Sequence, residues 1–181
     1  MTICVFGGAQ DEVAHEYIAL GEALGREMAR RGHSLVFGAG AHGLMGAAAR
    51  GVTELGGETV GVVPTFFDKP GVLFPCTEMV MIETMAERKT IMRDRADAFI
   101  ALPGGVGTME EIMEVITLHN LRRITEPVAF LDVLDFWQPM RTMLDTAIEK
   151  GFAKEKLRDN YAFFTDPAAC LDYLEKNARP A

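Results

Sequence analysis

The sequence is short of the residues that several large classes of protein require. It contains only three cysteines, Cys4, Cys76 and Cys170, which are widely spaced and never form a CxxC pair. This pattern predicts neither a disulfide framework nor a zinc site. Because unpaired cysteines are typical of reducing compartments, we expect the protein to be cytoplasmic.

Long apolar runs and a surplus of basic residues are also missing. No apolar stretch reaches the roughly 18 residues that a membrane span needs, and the start "MTICVFGG" does not resemble a signal peptide, so we expect a soluble, unprocessed protein. The chain has 18 Lys and Arg against 26 Asp and Glu, which gives a net charge of -8. It has no basic run that could follow a phosphate backbone. Neither nucleic acid nor membrane is therefore an expected partner.

What the sequence does contain is an alternation of short apolar runs and longer helical patterns. Its 181 residues, 49% of them hydrophobic, are enough for one well-buried core, and we predict a single domain over 1–181. The alternation predicts an α/β fold, a Rossmann-like three-layer sandwich with a mostly parallel sheet and helices on both faces. The predicted strands are "TICVF", "SLVF", "TVGVV", "MVMI", "AFIAL" and "PVAFL". An irregular stretch, 64–76, is expected to form a loop over a site or a partner.

Three of the turns that follow predicted strands are rich in glycine. In an open parallel sheet, ligands bind outside the carboxyl ends of the strands. Glycine lets backbone N–H groups approach a ligand and adopt positive φ, and a following helix makes each turn an anion site. Thr108 is also expected to cap its helix. The turns "FGGAQ", "FGAGAHGLMG" and "LPGGVGT" supply the candidate binding residues Gly8, Gly40, Gly104, Gly105, Gly107 and Thr108.

Neither of two common nucleotide-binding motifs fits these turns. The second turn contains a formal GxGxxG, but the acid that should end the next strand of a dinucleotide-binding unit is misplaced, because Glu58 precedes "TVGVV". Tight packing between helix and strand is another interpretation of these glycines. No GxxxxGK[ST] motif occurs, which excludes ATP hydrolysis by a P-loop.

Charged residues near the third turn indicate the chemistry. Glu111 lies three residues after Thr108 on the same helix face, directed toward the turn. A carboxylate beside a phosphate needs a compensating cation, and Arg88, one turn after "MVMI", should face the same edge of the sheet. Lys89 and Met85 in the same segment are further candidates for substrate contact, with a solvated surface as the alternative for Lys89.

A phosphate cradle, one arginine and one offset carboxylate suit cleavage of the N-glycosidic bond in a nucleoside monophosphate. In such a reaction a carboxylate stabilises an oxocarbenium-like transition state or deprotonates water, and an arginine orients the sugar or assists the departing base. The two residues that we expect to do this are Glu111 and Arg88. The pattern permits this mechanism without requiring it.

The segments "MAERK" and "DAFIALPGGVGTMEEIMEVIT", with "GAGAHGLMG" upstream, resemble the lonely-guy family. Members of that family are phosphoribohydrolases that release the free base from cytokinin riboside or adenosine 5′-monophosphate, and many relatives carry an old label of lysine decarboxylase. The resemblance runs from the first strand to about Gly151. It implies that Arg88 and Glu111 are the catalytic pair and that the "PGGVGT" turn holds the phosphate. It also implies a homodimer with sites near its interface and with no metal or organic cofactor.

The chain departs from the family pattern at several positions. Ala86 stands where the family usually has His, "GGAQ" where serines follow the first strand, Ala39 where a third glycine is common, and His42 where a small or apolar residue is usual. These changes concern substrate contacts and leave the catalytic pair intact. His42 either faces the ligand or is a structural or surface residue.

Alternatives to a hydrolase remain open from the residues alone. A non-catalytic carrier of a nucleotide or of molybdenum cofactor could use the same fold and the same anion site. Glu111 argues against it, because a phosphate binder gains nothing from a carboxylate beside its anion. A decarboxylase is disfavoured because no Schiff-base lysine can be paired with a phosphate cup. Apolar residues on several faces of "GLMGAAARGVTEL" and "TMEEIMEVITLHNL" suggest a subunit interface.

Overall fold

A single seven-stranded sheet organises the chain. The computed structural model describes residues 1–179. All neighbouring strands are parallel, in the order β4-β3-β2-β1-β5-β6-β7, which confirms the predicted α/β Rossmann-like architecture. The strands are β1 (Thr2–Phe6), β2 (Ser34–Phe37), β3 (Thr59–Pro64), β4 (Glu78–Ile82), β5 (Ala98–Ala101), β6 (Val128–Leu131) and β7 (Ala162–Phe164).

Helices cover both faces of the sheet. Successive strand residues point to opposite faces, so Ile3 and Val5 lie in one core with α1, α2 and α6, whereas Cys4 and Phe6 lie in the other with α3, α4 and α5. This arrangement gives the three predicted layers. The helices are α1 (His15–Arg30), α2 (Gly43–Glu54), α3 (Met85–Asp94), α4 (Val106–Asn120), α5 (Gln138–Glu149) and α6 (Pro167–Asn177). In the described part of the chain, none of them is long and apolar enough to cross a bilayer.

Several helix boundaries follow from local chemistry. Gly32 and Gly56 have φ of 72° and 74° just after α1 and α2, as expected for glycines that end helices. The Asp166 carboxylate accepts a hydrogen bond from the Ala169 N–H and caps α6. Thr84 and Glu87 form a reciprocal capping box that fixes the start of α3. The capping box thus defines the start of α3, one turn before the candidate Arg88.

The structure differs from the predicted elements in two respects. Helix α4 begins at Val106 with Gly105 at its N-cap, so Thr108 lies inside the first turn and is not the cap. Strand β7 was missed because its three residues, "AFF", carry too short an apolar pattern.

Packing between α1 and α2 explains the apolar composition of α2. A Cβ at Gly25 would lie 2.1 Å from the carbonyl oxygen of Ala48, and one at Gly51 would lie 2.3 Å from that of Glu22. Glycine therefore allows the two helix backbones to approach closely. Since the small residues of α2 are buried within the chain, its apolar faces require no second subunit.

The candidate site lies where the sheet changes direction. Strands β1 and β5 are neighbours, but the chain continues from β1 toward β2 and from β5 toward β6, on opposite sides. This is the switch point at which open α/β sheets bind ligands. The turns after the two strands touch, since the Gly8 N–H donates to the Pro103 carbonyl oxygen at 3.0 Å.

Candidate functional site

The glycine-rich turn before α4 is held tightly at one end and is open at the other. A Cβ at Gly104 would lie 2.2 Å from the Thr108 Oγ1 and 2.8 Å from the Gly8 nitrogen, so this position requires glycine for close packing. A Cβ at Gly105 or Gly107 would meet nothing within 4 Å. None of these three glycines has positive φ, which corrects the conformational role expected for them. The open side of the turn is free to receive a ligand.

The start of α4 presents unsatisfied donors to that open side. The first N–H groups of a helix have no partner within the helix, and the N-cap Gly105 supplies no side-chain hydrogen bond. The helix dipole adds partial positive charge at the same place. Thr108 is only 4% exposed and contributes its hydroxyl from beneath Gly104. This helix start is therefore suited to an anion.

The start of α2 is already occupied by a carboxylate of the chain itself. The Asp11 Oδ1 accepts a hydrogen bond from the Gly43 N–H at 2.8 Å, and the Gly8 carbonyl oxygen accepts one from the Leu44 N–H at 2.8 Å. The Gly43 N–H, with help from His42, lowers the pKa of Asp11. A phosphate at this helix start would meet a negative charge, so the structure favours α4 over α2 as the anion site.

Arg88 is a buried cation whose guanidinium has few partners. It is 8% exposed, and its Nε is buried without a hydrogen bond in the described residues 1–179. Its Nη1 approaches the Met85 sulfur at 3.8 Å. The guanidinium lies against Gly38, where a Cβ would be 1.5 Å from Nη2. Because leaving buried donors unpaired is costly, this arrangement is suited to a ligand that supplies acceptors.

The side chain of Glu111 is a carboxyl group whose pKa lies near neutral pH. It lies on α4 in a narrow recess together with Phe6, Lys89 and Glu114. Burial raises its pKa to about 7, against the opposing effect of the positive charge of Arg88. A carboxyl group with such a pKa can accept or donate a proton near pH 7.

Because folding raises the pKa of Glu111, its contribution to the free energy of unfolding should depend on pH. A carboxyl whose pKa rises on folding stabilises the fold below its ordinary pKa, and that contribution is lost as pH rises through about 7. Relative to the wild type, Glu111→Gln should therefore gain on the order of 3 kcal/mol in unfolding free energy between pH 5 and pH 8. Urea unfolding at both pH values measures the difference, with Glu110→Gln as the control. A difference that does not change with pH would contradict the burial of Glu111.

An apolar cavity of about 380 Å³ lies beside Arg88. The irregular stretch 64–76 contributes Phe67, Val72 and Leu73 to its lining. The remaining lining residues come from the turns after β1 and β2, from β3 and from α2: Ala9, Gly38, Gly40, Ala41, His42, Met45 and Val63. A cavity with mostly apolar walls and with Arg88 at its side suits a flat, weakly polar group such as a base.

The other predicted site residues differ in how far they are free to contact a substrate. The Lys89 ammonium forms ion pairs with Glu110 and Glu114, so two of its three donors are used within the chain. Met85 is 41% exposed, and Gly8 has both its N–H and its carbonyl paired with backbone. Gly40 lines the cavity. In residues 1–179, no three His, Cys, Asp or Glu side chains are arranged to hold a metal ion.

Two residues that shape the site carry little signal in the sequence. Gly38 provides the seat of the Arg88 guanidinium, although its GxGxxG context points to dinucleotide binding instead. Asp11 reaches the start of α2 from 32 positions away. Only a contact between distant segments gives Asp11 its role.

Comparison with known proteins identifies the family. A family model described as "Possible lysine decarboxylase" matches residues 45–174. Cytokinin riboside 5′-monophosphate phosphoribohydrolase LOG5 of Arabidopsis thaliana is 36% identical over 92% of this chain and 73% of its own length. The chain belongs to the lonely-guy family.

Other lonely-guy proteins show similar identity. Cytokinin riboside 5′-monophosphate phosphoribohydrolase LOG of Oryza sativa subsp. japonica is 39% identical over 86% of this chain and 65% of its own. The enzyme of the same name from Rhodococcoides fascians is 37% identical over 83% of this chain and 77% of its own. This lonely-guy chain thus spans about two thirds to three quarters of the length of these curated relatives.

Solved structures with the same fold include carriers. The molybdenum cofactor binding protein of Rippkaea orientalis aligns with a TM-score of 0.75 at 19% identity, over 97% of this chain and 95% of that one. The molybdenum cofactor carrier protein of Chlamydomonas reinhardtii aligns with a TM-score of 0.72 at 22% identity, over 97% and 96%. At such identities the likeness concerns the fold alone. Lonely-guy proteins and carriers therefore share an architecture that does not itself distinguish catalysis from binding.

Proposed function

We propose that this lonely-guy protein is a phosphoribohydrolase. It hydrolyses the N-glycosidic bond of cytokinin riboside 5′-monophosphate or AMP to the free base and ribose 5-phosphate. The observation that carries the proposal is the buried Arg88, with a donor unpaired, whose charge acts on Glu111, a carboxyl with a pKa of about 7. The names of the relatives describe this reaction for cytokinin riboside 5′-monophosphate.

The surroundings of Arg88 and Glu111 offer one binding place for the phosphate of a nucleotide and another for its base. The 5′-phosphate binds at the uncapped start of α4, where Gly105 and Gly107 leave space and Thr108 adds a hydroxyl. The base enters the apolar cavity beside Arg88. The ribose then lies between the two, next to Glu111.

Each charged residue has one role in the proposed reaction. The Glu111 carboxylate faces the sugar, stabilises positive charge that develops at C1′, and accepts a proton from the attacking water. The water oxygen bonds to C1′ as the C1′–N bond breaks, and the proton that Glu111 accepts from the water is passed on to the departing base. Arg88 donates hydrogen bonds to the sugar or the base and holds them in the reactive orientation.

Removal of the Thr108 hydroxyl should weaken substrate binding more than chemistry. Thr108→Ala is expected to raise the KM for the nucleoside monophosphate by about tenfold with little change in kcat, because one hydrogen bond to a charged group is lost equally from ground and transition states. Steady-state kinetics measures both constants. Thr117→Ala, about two and a half turns further along the same helix, is the control. Unchanged affinity for the phosphorylated substrate would remove Thr108 from the phosphate site.

Product analysis tests the proposed function most directly. The purified protein is incubated with AMP or with a prenylated AMP, and the products are separated by chromatography. Release of free base with ribose 5-phosphate supports the hydrolase and shows which base is preferred. Intact nucleotide that nevertheless binds the protein would support the carrier alternative.

We also propose that the protein is a cytoplasmic homodimer. Exposed apolar side chains lie on the edge strand β4, on α3 and at the start of α4: Met79, Met81, Met85, Val106 and Met109. A second copy that covers them would bring its own residues close to the site. Light scattering is expected to give twice the monomer mass, and a monomer at micromolar concentration would contradict the dimer. The three unpaired cysteines suit the cytoplasm.

A further inference from the structure

One wall of the cavity is fastened by a histidine that has no part in the chemistry described above. Residues 71–74, here called the wall segment, run antiparallel to residues 39–42. The Ala41 N–H donates to the Val72 carbonyl oxygen at 3.0 Å, and the Phe74 N–H donates to that of Ala39 at 2.8 Å. Beyond this short bridge, Phe74 packs against Phe37 at one end of the wall segment, and His42 hydrogen-bonds the other end at Gly71.

Both ring nitrogens of His42 face acceptors. Its Nδ1 is 2.6 Å from the Asp11 Oδ2, and its Nε2 is 2.9 Å from the Gly71 carbonyl oxygen. A neutral imidazole has one N–H donor, whereas the imidazolium has two. Because neither acceptor can donate, the two hydrogen bonds exist together only when His42 is charged.

The charged side chains that act on His42 come from two elements. Asp11, in the loop after β1, raises its pKa, and Arg50 of α2 opposes this more weakly. The wall segment contributes the Gly71 carbonyl, which also raises the pKa. Asp11 is fixed independently because its other oxygen caps α2. Asp11 therefore links the start of α2 to the wall segment through His42.

We propose that His42 is a positioning residue, whose imidazolium fastens the wall segment over the cavity so that base affinity depends on the protonation of His42. The proposal rests on the proposed function for the identity of the ligand. When His42 is protonated, its ring donates hydrogen bonds to both Asp11 and Gly71. When His42 is neutral, only one of these two hydrogen bonds can form.

The expected effect is moderate, since the side chains of His42 and Asp11 are 53% and 58% exposed. Exposed charge pairs of this kind change equilibria by about two- to fivefold. A histidine whose pKa is raised by its partner stabilises the closed wall fully below its ordinary pKa. That contribution is lost as pH rises through the raised value. Affinity for the base should therefore fall on the alkaline side.

Nucleotide binding is measured in a catalytically silent background to separate His42 from Glu111. The dissociation constant for AMP is determined by calorimetry from pH 5.5 to 9 for Glu111→Gln and for Glu111→Gln combined with His42→Ala. Titration of the AMP phosphate affects both proteins equally, so the ratio of the two constants isolates His42. We expect the double variant to bind about two- to fivefold more weakly at low pH, and the ratio to approach one at high pH.

A second variant tests the charge of Asp11 without removing the cap of α2. Asp11→Asn keeps an oxygen that can accept from the Gly43 N–H but loses the negative charge. In the Glu111→Gln background it should shift the change in affinity to lower pH. The ring signals of His42, assigned by their absence from His42→Ala, should show the same shift in NMR titration.

Amide exchange provides a readout that does not depend on the nucleotide. In the absence of ligand, His42→Ala should speed exchange of the Ala41 and Phe74 amides about two- to fivefold at pH 6. The amide of Leu102, which donates to the Phe6 carbonyl oxygen in the sheet, should be unaffected. If AMP does not bind but these amides respond, the proposed function fails and the role of His42 in holding the wall stands.

Three results would overturn the proposal. Equal exchange of the Ala41 and Phe74 amides in wild type and His42→Ala would mean that the backbone bridge alone holds the wall segment. An affinity ratio that is independent of pH would mean that His42 acts without its charge. In active protein, a lower kcat for His42→Ala with an unchanged KM would instead assign His42 to the chemical step.

Discussion

Glu111→Gln should reduce kcat about 10² to 10³-fold, because the amide can neither accept a proton from water nor carry the negative charge that faces the sugar. The substitution preserves the shape of the side chain and removes only its charge and basicity. Since the phosphate and the base contact other parts of the site, nucleotide affinity should stay near that of the wild type. The burial that raises the Glu111 pKa to about 7 also makes the neutral amide easy to accommodate.

Single-turnover kinetics with AMP, beside calorimetric binding, measures the two effects separately. Glu110→Gln is the matched control, because Glu110 is the neighbouring carboxylate on the same helix and contacts Lys89, which keeps its second partner Glu114. The control should retain activity within a few-fold. Near-normal kcat in Glu111→Gln would remove Glu111 from the mechanism, and loss of nucleotide binding would move it to the binding site.

Local patterns were sufficient to predict the sheet but not all of its parts. All six predicted strands are present and are four or more residues long, and helices with clear periodicity cover both faces of the sheet. The α/β alternation therefore predicts the fold. Strand β7 adds only "AFF" at the edge beyond β6, where pairing with a neighbour defines it more than composition does. The start of α4 was misplaced because Gly105 in an extended conformation serves as the N-cap, a position where threonine is usually the stronger candidate.

Glycine-rich turns show most clearly what a sequence cannot specify. The turn before α2 and the turn before α4 look equally suited to an anion, yet Asp11 fills the first from a distant loop. Ala39 has a φ of 57°, a conformation that favours glycine and that its residue type does not predict. The wall segment could be expected as a loop over a site, but its contacts with Gly40 and Ala41 are non-local. Such contacts become visible only in the fold.

The sequence does place the two candidate catalytic residues on the correct elements. Arg88 follows β4 by one helical turn, and Glu111 follows the turn after β5, so both are directed to the carboxyl edge of the sheet. Their burial could not be predicted, because it depends on Gly38 below the guanidinium and on Phe6 beside the carboxyl group. The raised pKa of Glu111 and the unpaired Nε of Arg88 are both consequences of that burial.

Arg88→Ala should lower kcat/KM for AMP by about 10² to 10³-fold, as expected when one electrostatic contact to the transition state is removed. The fold should persist, because the guanidinium has an unpaired buried Nε and contributes no ion pair within residues 1–179. Arg95→Ala is the control, since Arg95 lies at the end of the same helix and pairs with Glu78 at the surface. Circular dichroism and unfolding midpoints confirm that each variant is folded before kinetics are compared.

Gly38→Ala tests the position of the Arg88 guanidinium, whereas Arg88→Ala removes the guanidinium altogether. The new Cβ would lie 1.5 Å from the Arg88 Nη2, so the end of a flexible side chain must move while its charge is kept. If orientation of the guanidinium is what matters, Gly38→Ala should lose most of the activity that Arg88→Ala loses, and the double variant should lose little more than either single one. Nearly normal activity in Gly38→Ala together with an inactive Arg88→Ala would mean that the charge acts at a distance. Full activity in both variants would exclude Arg88 from the reaction.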